Sequence, residues 1–176
     1  ARAIGRSAGT LGTHTLVSRK YEAYGPGGSA YLIQAVTDNT NRAASEIKAI
    51  LSKYGGKLAV AGSVSWMFER QAIITFPLPR AESRDKIELT LIDAGAVDID
   101  AGSGGLRARA PIESVGSLQE AAASHGLKAI GSAILLLPKT TRPLAPKELQ
   151  SAKALKDALE EHSDITSVAT NIEVTP

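Results

Sequence analysis

The spacing of apolar residues divides most of the chain into short strands and amphipathic helices. Residues 29–36 are rich in β-branched and aromatic side chains and predict a strand, and residues 64–69 and 72–76 predict two more. Asp38 to Thr40 offer N-cap side chains for a helix after the first strand, and Gly55-Gly56 ends it. The apolar stripe of this helix consists of Ala43, Ile47, Ile50, Leu51 and Tyr54.

The second half of the chain repeats the alternation of strands and helices. A helix with Ile87 and Leu91 turned inward, a hairpin with a turn at Ser103-Gly104-Gly105, a helix over residues 115–125 and a strand over residues 129–137 are predicted. The order from residue 72 to residue 137 is therefore β-α-β-β-α-β, the split βαβ unit of ferredoxin-like domains. The segments outside it read strand, helix and strand, then a strand over 139–144, a helix that begins at Pro146 and a strand over 165–174.

These elements predict an α+β protein of two ferredoxin-like (split βαβ) modules, the second inserted into the first. The first module comprises residues 21–70 plus 138–176, and the inserted module comprises residues 71–137. Residues 1–20 are rich in Gly, Ser and Thr and read as the remnant of a helix followed by a linker. One continuous mixed sheet is the less favoured alternative, because adjacent elements usually pair.

Composition excludes several classes of site. The 176 residues include no cysteine, which rules out disulfides and thiolate metal sites. No apolar run approaches the roughly 18 residues of a membrane span, so membrane insertion is not expected. His14, His125 and His162 show neither metal spacing nor the partners of a catalytic triad. We therefore expect no catalytic residue, no metal and no cofactor.

Positive charge is concentrated at the beginning of the chain. The net charge is +2, but residues 1–69 hold eight Lys and Arg against four Asp and Glu, whereas each later third is slightly acidic. A polyanionic partner would meet this part first. A solvated basic face is an equally simple explanation of the charge.

A glycine-rich segment and a basic helix face are the candidate contact regions. Gly25, Pro26, Gly27 and Gly28 form a loop whose backbone amides could approach a phosphate, although a tight turn that leads into the next strand is the favoured alternative. The polar side of the first helix and the residue position just past its end carry Asn41, Arg42, Lys48, Lys53 and Lys57. Arg42 near the helix N-terminus suits a phosphate, and an Arg42–Glu46 ion pair is the alternative.

The aromatic residues offer a second kind of contact. Trp66 and Phe68 alternate along a predicted strand and share one face, where they could stack on bases. Packing in the core against the first helix is the favoured interpretation of this pair. Tyr21 and Tyr24 are better candidates for stacking because they border the glycine-rich loop.

Three motifs together resemble the YebC/PmpR family. They are Tyr21-Glu22-Ala23-Tyr24-Gly25-Pro26-Gly27-Gly28, Thr37-Asp38-Asn39-Thr40-Asn41-Arg42 and Gly62-Ser63-Val64-Ser65-Trp66-Met67-Phe68-Glu69-Arg70. The resemblance extends collinearly to about Thr175. Ala23 in place of the usual Gly, Lys57 in place of a common Asn and Gln71-Ala72 in place of a basic-Gly turn depart from the family pattern and caution against assuming the same ligand.

The resemblance implies a non-enzymatic mitochondrial translational activator that binds RNA (mRNA or rRNA) or the ribosome. Such a protein would support synthesis of respiratory-chain proteins, including a cytochrome c oxidase subunit, and relieve stalling at proline-rich stretches in the mitochondrial matrix. It also implies an N-terminal helical domain that this chain lacks. Two alternatives stay open: a DNA-binding transcriptional regulator of the bacterial cytoplasm, and a protein-interaction scaffold.

Overall fold

A computed structural model describes residues 15–173 of the chain. Its regular elements are, in order, β1 (Val17–Tyr24), β2 (Ala30–Thr37), α1 (Thr40–Lys53), β3 (Lys57–Leu58), β4 (Phe68–Phe76), α2 (Ala81–Asp93), β5 (Asp98–Gly102), β6 (Gly105–Pro111), α3 (Val115–Ser124), β7 (Gly131–Pro138), α4 (Pro146–Glu160) and β8 (Ile165–Thr170). They form two compact units, one of residues 15–67 with 140–173 and the other of residues 68–139. The predicted α+β class with two ferredoxin-like modules is confirmed.

The first module is a four-stranded antiparallel sheet in the order β3-β1-β2-β8. Helices α1 and α4 pack on one face of it, and the core between sheet and helices includes Tyr31, Ile33, Ile47, Leu51 and Leu155. Tyr31 is fully buried, and its hydroxyl donates a hydrogen bond of 3.0 Å to the carbonyl of Ala152 in α4. Burial raises the pKa of Tyr31 above its ordinary value, so this hydroxyl remains a donor.

The second module is a four-stranded antiparallel sheet in the order β5-β6-β4-β7. Helices α2 and α3 cover one face, and the core includes Ile74, Phe76, Leu91, Leu106 and Leu118. This element order is the β-α-β-β-α-β predicted from the sequence. The two separate sheets also exclude a continuous mixed sheet within residues 15–173.

Three predictions about the first module are wrong at the level of single elements. A strand, β1, already begins at Val17 in the segment assigned to a linker. The predicted strand over residues 64–69 is instead a single 3-10 turn followed by β4, which runs without interruption through residue 72. The predicted strand over residues 139–144 reduces to one isolated bridge between Arg142 and Ile172. The predictions for residues 1–14 and 174–176 lie outside the described residues.

Within residues 15–173, no helix is long and apolar enough to span a membrane.

Candidate nucleic-acid interface

Strand β1 divides its side chains between the two faces of the first sheet. Tyr21 and Ala23 lie on the helix-covered face and join the core. Because side chains alternate along a strand, Lys20, Glu22 and Tyr24 lie on the other face, which we call the open face. Tyr21 and Tyr24, both predicted to border a contact loop, are therefore on opposite sides of the sheet.

The carboxylate of Glu22 anchors a loop over the open face. Its oxygens accept hydrogen bonds from the backbone amides of Gly62 (2.6 Å), Val64 (2.7 Å) and Ser65 (2.9 Å). Glu22 is buried. Burial acts to raise the pKa of Glu22, but the three amides outweigh it, and the pKa lies below its ordinary value. Glu22 is therefore ionised at neutral pH, with its charge satisfied by the loop backbone.

The anchored loop presents an exposed tryptophan. Trp66 lies in the 3-10 turn Ser65–Met67, and its side chain is 64% exposed. The indole Nε1 donates to the carbonyl of Ser63 (2.9 Å), and the hydroxyl of Tyr24 donates to the same oxygen (3.3 Å). Both aromatic side chains are thus fixed to one backbone group while a face of the indole stays in solvent.

Two lysines lie on the same face as these aromatic residues. Lys57 pairs with Tyr24 between β3 and β1, so the two side chains share the open face. Lys20 pairs with Gln34 between β1 and β2. Both residues line a shallow groove of about 350 Å³, together with Thr166. Neither lysine has an ion-pair partner in the part of the chain that the structure describes. We call Lys20, Tyr24, Lys57 and Trp66 the open-face site.

The sequence pattern offers Trp66 for stacking only as the less favoured alternative, and it does not find Lys20. Val64, Trp66 and Phe68 alternate as in a strand, which predicts Trp66 in the core together with Phe68. The prediction is wrong because Glu22 holds the amides of Val64 and Ser65, so they cannot join a strand ladder. The resulting 3-10 turn leaves Val64 and Phe68 buried and Trp66 exposed. Lys20 lies in the segment that the sequence analysis assigns to a linker. Its position on the open face follows only once β1 is recognised as a strand.

The glycine-rich loop is a tightly packed turn. Pro26–Gly28 form a 3-10 turn, and the amide of Gly28 donates to the carbonyl of Gly25 (3.1 Å). A Cβ atom on Gly25 would lie 2.5 Å from the ring of Tyr31, and Gly27 has a φ of +64°. These constraints explain the glycines without a ligand. That the loop contacts nucleic acid stays a prediction.

Arg42 is engaged by acidic side chains. Its guanidinium lies 3.0 Å from the Asp38 carboxylate, 2.9 Å from Asp164 and 3.8 Å from Glu46. The Thr37 hydroxyl and the charge of Arg42 hold the pKa of Asp164 below its ordinary value, against partial desolvation. A cation already surrounded by carboxylates offers little net charge to a phosphate, so Arg42 is not part of the open-face site.

The other predicted contact residues on α1 are exposed. Asn41 lies in the first turn of α1, and Lys48 and Lys53 lie on its solvent side. The ammonium of Lys53 is 5.6 Å from the ring centre of Tyr54, a cation–π distance. None of the three belongs to the open face of the sheet.

Residues 15–173 contain no group of three or more His, Cys, Asp or Glu side chains that could hold a metal ion.

Comparisons with known proteins agree on one family. Residues 16–172 match the family described as TACO1/YebC second and third domain. The chain is 36% identical to a "Probable transcriptional regulatory protein" of Thermoanaerobacter pseudethanolicus, covering 98% of the chain and 70% of that protein. It is 38% identical to one of Kosmotoga olearia, covering 98% and 68%. The crystal structure of the conserved hypothetical protein Aq1575 from Aquifex aeolicus matches with a TM-score of 0.72 and 31% identity, covering 99% of this chain and 72% of that one.

Proposed function

The chain belongs to the TACO1/YebC family, and we propose that it is a regulatory protein that binds nucleic acid through the open-face site. The observation that carries the proposal is the exposed indole of Trp66, held on a loop by Glu22 over the sheet face that also carries Lys57, a lysine with no ion-pair partner among residues 15–173. A rigid aromatic surface next to lysines is the usual combination for holding bases and phosphates together. The names of the relatives describe regulators and not enzymes, which supports the same class.

Two forms of this function differ in the nucleic acid. The names of the relatives favour regulation of transcription, so DNA is the first candidate. The second candidate is RNA, and the exposed Trp66 favours it, because stacking on an aromatic side chain requires an unpaired base. A role in synthesis of respiratory-chain proteins, or at proline-rich stretches, stays a prediction of the family resemblance.

The relatives also bear on location. The relatives reported above are bacterial, so the mitochondrial matrix expected from the resemblance has no support in them. We take the bacterial cytoplasm as the proposed location.

Intrinsic fluorescence tests the proposal directly, because Trp66 is the single tryptophan of the chain. We would titrate the protein at low salt with single-stranded RNA, single-stranded DNA and duplex DNA of one sequence. Quenching by either single strand supports stacking on Trp66. Tighter binding of RNA than of single-stranded DNA supports a regulator of translation. Binding of duplex DNA alone, followed by anisotropy of a labelled oligonucleotide, supports the transcriptional form.

Matched lysine variants locate the surface. Lys57→Gln is expected to weaken binding several-fold, whereas Lys153→Gln, an exposed lysine of α4, is expected to leave it unchanged. Absence of binding to all three nucleic acids at low salt would overturn the proposal and leave the protein-interaction scaffold.

A further inference from the structure

Strand β7 is an apolar sheet edge that is accessible from three sides. It is the last strand in the order β5-β6-β4-β7, and it pairs only with β4 within residues 15–173. Ile134 is 51% exposed on the face toward the helices, and Leu135 is 44% exposed on the opposite face. The helices therefore leave Ile134 exposed, and within residues 15–173 no further strand pairs with the free edge of β7.

The other edge of the same sheet is protected by charge. On β5, Asp100 forms an ion pair with Arg107, and Asp98 lies 3.6 Å from Arg109. Charged side chains on an edge discourage pairing with another chain. The sequence of β7, Gly-Ser-Ala-Ile-Leu-Leu-Leu-Pro, has no charged residue, and its only proline is the last residue. Only β7 of the two edges is thus open to a further strand.

The sequence of β7 is complementary to itself in an antiparallel arrangement. With Leu135 opposite the Leu135 of a second copy, Ile134 faces Leu136 and Ala133 faces Leu137. These pairs are apolar, Ser132 faces Pro138, and Lys139 falls opposite Gly131, so no like charges meet. In this register residues 132–138 of the two copies pair, which gives a shared edge of about 24 Å at roughly 3.4 Å per residue. Apolar cross-strand pairs of this kind stabilise an antiparallel ladder.

We propose that β7 is a self-association surface through which two copies of this chain pair antiparallel about Leu135. The two second-module sheets then form one eight-stranded sheet, with the helices of both copies on the same face. An isologous contact of this kind is the commonest way in which proteins form closed dimers. The surface belongs to a different module from the open-face site, so the proposal stands independently of nucleic-acid binding.

Sedimentation equilibrium of the 176-residue chain tests this surface, at protein concentrations up to about 1 mM, which covers weak specific association. The wild type is expected to show concentration-dependent dimers of twice 18.3 kDa. Leu135→Lys places two ammonium groups opposite each other and is expected to leave monomers only. Leu89→Lys changes a side chain of α2 that is 63% exposed and serves as the control, with dimers retained.

Hydrogen exchange of the β7 amides provides a second readout that does not need a variant. In the wild type, exchange of amides in residues 131–137 is expected to slow as protein concentration rises, while exchange on β5 stays constant. A wild type that is monomeric throughout the range, or dimers that persist in Leu135→Lys with its circular dichroism unchanged, would overturn the proposal. Monomers that instead bind an added apolar peptide along β7 would also overturn it, in favour of a foreign strand.

Discussion

Trp66 and Glu22 show how one buried charge can determine the position of an exposed aromatic residue. The three amides that Glu22 binds lie within residues 62–65, directly before Trp66, so the carboxylate fixes the position of this loop. A flexible loop would lose conformational entropy whenever a ligand ordered it. The anchored loop has already lost most of that freedom in the folded protein.

Removal of the indole is expected to weaken binding of single-stranded nucleic acid about 5- to 150-fold, because a base stacked on an aromatic side chain contributes roughly 1–3 kcal/mol. Anisotropy of a labelled oligonucleotide measures the loss in Trp66→Ala. Trp66→Phe keeps an aromatic face and should recover part of the affinity. Equal affinities of wild type and Trp66→Ala would exclude stacking at this residue.

Glu22 is expected to make stability depend on pH. Its pKa is lower in the folded protein than in the unfolded chain, so its stabilising contribution is complete above about pH 4.3 and is lost as pH falls through the folded pKa. Glu22→Gln is expected to be less stable by about 2–3 kcal/mol at pH 7, because the side-chain amide meets backbone donors. Urea unfolding between pH 7 and pH 2 measures this. The difference between the two proteins should shrink at the acid end, and a constant difference would contradict the assignment.

At the scale of the elements, two segments have a mainly structural role. They are the turn between β1 and β2 and the start of α1. The turn packs against α4, since a Cβ atom on Gly25 would lie 2.9 Å from Leu155 as well as close to Tyr31. The start of α1 is capped by Asn39, whose side chain accepts from the amide of Arg42 (3.0 Å). Arg42 then links this end of the helix to Asp164. Packing and ion pairing thus explain two of the three motifs on which the family resemblance rests, the glycine-rich turn and the start of α1.

Gly25→Ala is expected to destabilise the protein by about 2 kcal/mol or more, because the added methyl group must displace Tyr31 or Leu155 in a packed core. Gly104→Ala is the matched control, since its Cβ would meet no atom within 4 Å. Urea denaturation of the two variants measures the difference. Similar midpoints for both would show that the turn tolerates a side chain.

Arg42→Ala is expected to leave nucleic-acid affinity within twofold of the wild type and to lower stability by less than about 1 kcal/mol, as for other exposed ion pairs. Oligonucleotide anisotropy and urea unfolding check the two parts. A loss of affinity as large as that of Lys57→Gln would place Arg42 in the interface after all.

Sequence patterns predict those elements whose apolar spacing is regular and unopposed. The complete order of the second module and the positions of α1 and α4 follow from such spacing. For residues 64–69 the spacing predicts the wrong structure. Hydrogen bonds from the amides of Val64 and Ser65 to the Glu22 carboxylate, 42 and 43 residues away in the sequence, favour a turn over a strand. The open-face site depends on that same contact. No local sequence pattern indicates the contact between Glu22 and the loop. The sequence therefore identifies the family more readily than it identifies the open-face site.

For the whole molecule, a nearly balanced charge makes local cations decisive. The net charge is only +2, so long-range attraction of a polyanion is weak. Binding should then depend on the two lysines of the open-face site. With about 0.7 log units per neutralised phosphate of a single strand, the slope of log affinity against log salt is expected near −1.4. Lys57→Gln should reduce its magnitude by about 0.7, and an unchanged slope would remove Lys57 from the contact.

The most direct test is a residue-by-residue map of the bound surface. Amide and indole NMR shifts of the isotope-labelled chain would be followed while a short single-stranded RNA, and separately a duplex DNA, is added. We predict that the largest changes occur at Lys20, Tyr24, Lys57 and residues 60–66, including the Trp66 indole signal. Changes centred on residues 25–28 and on Arg42, with the open face unaffected, would contradict the account.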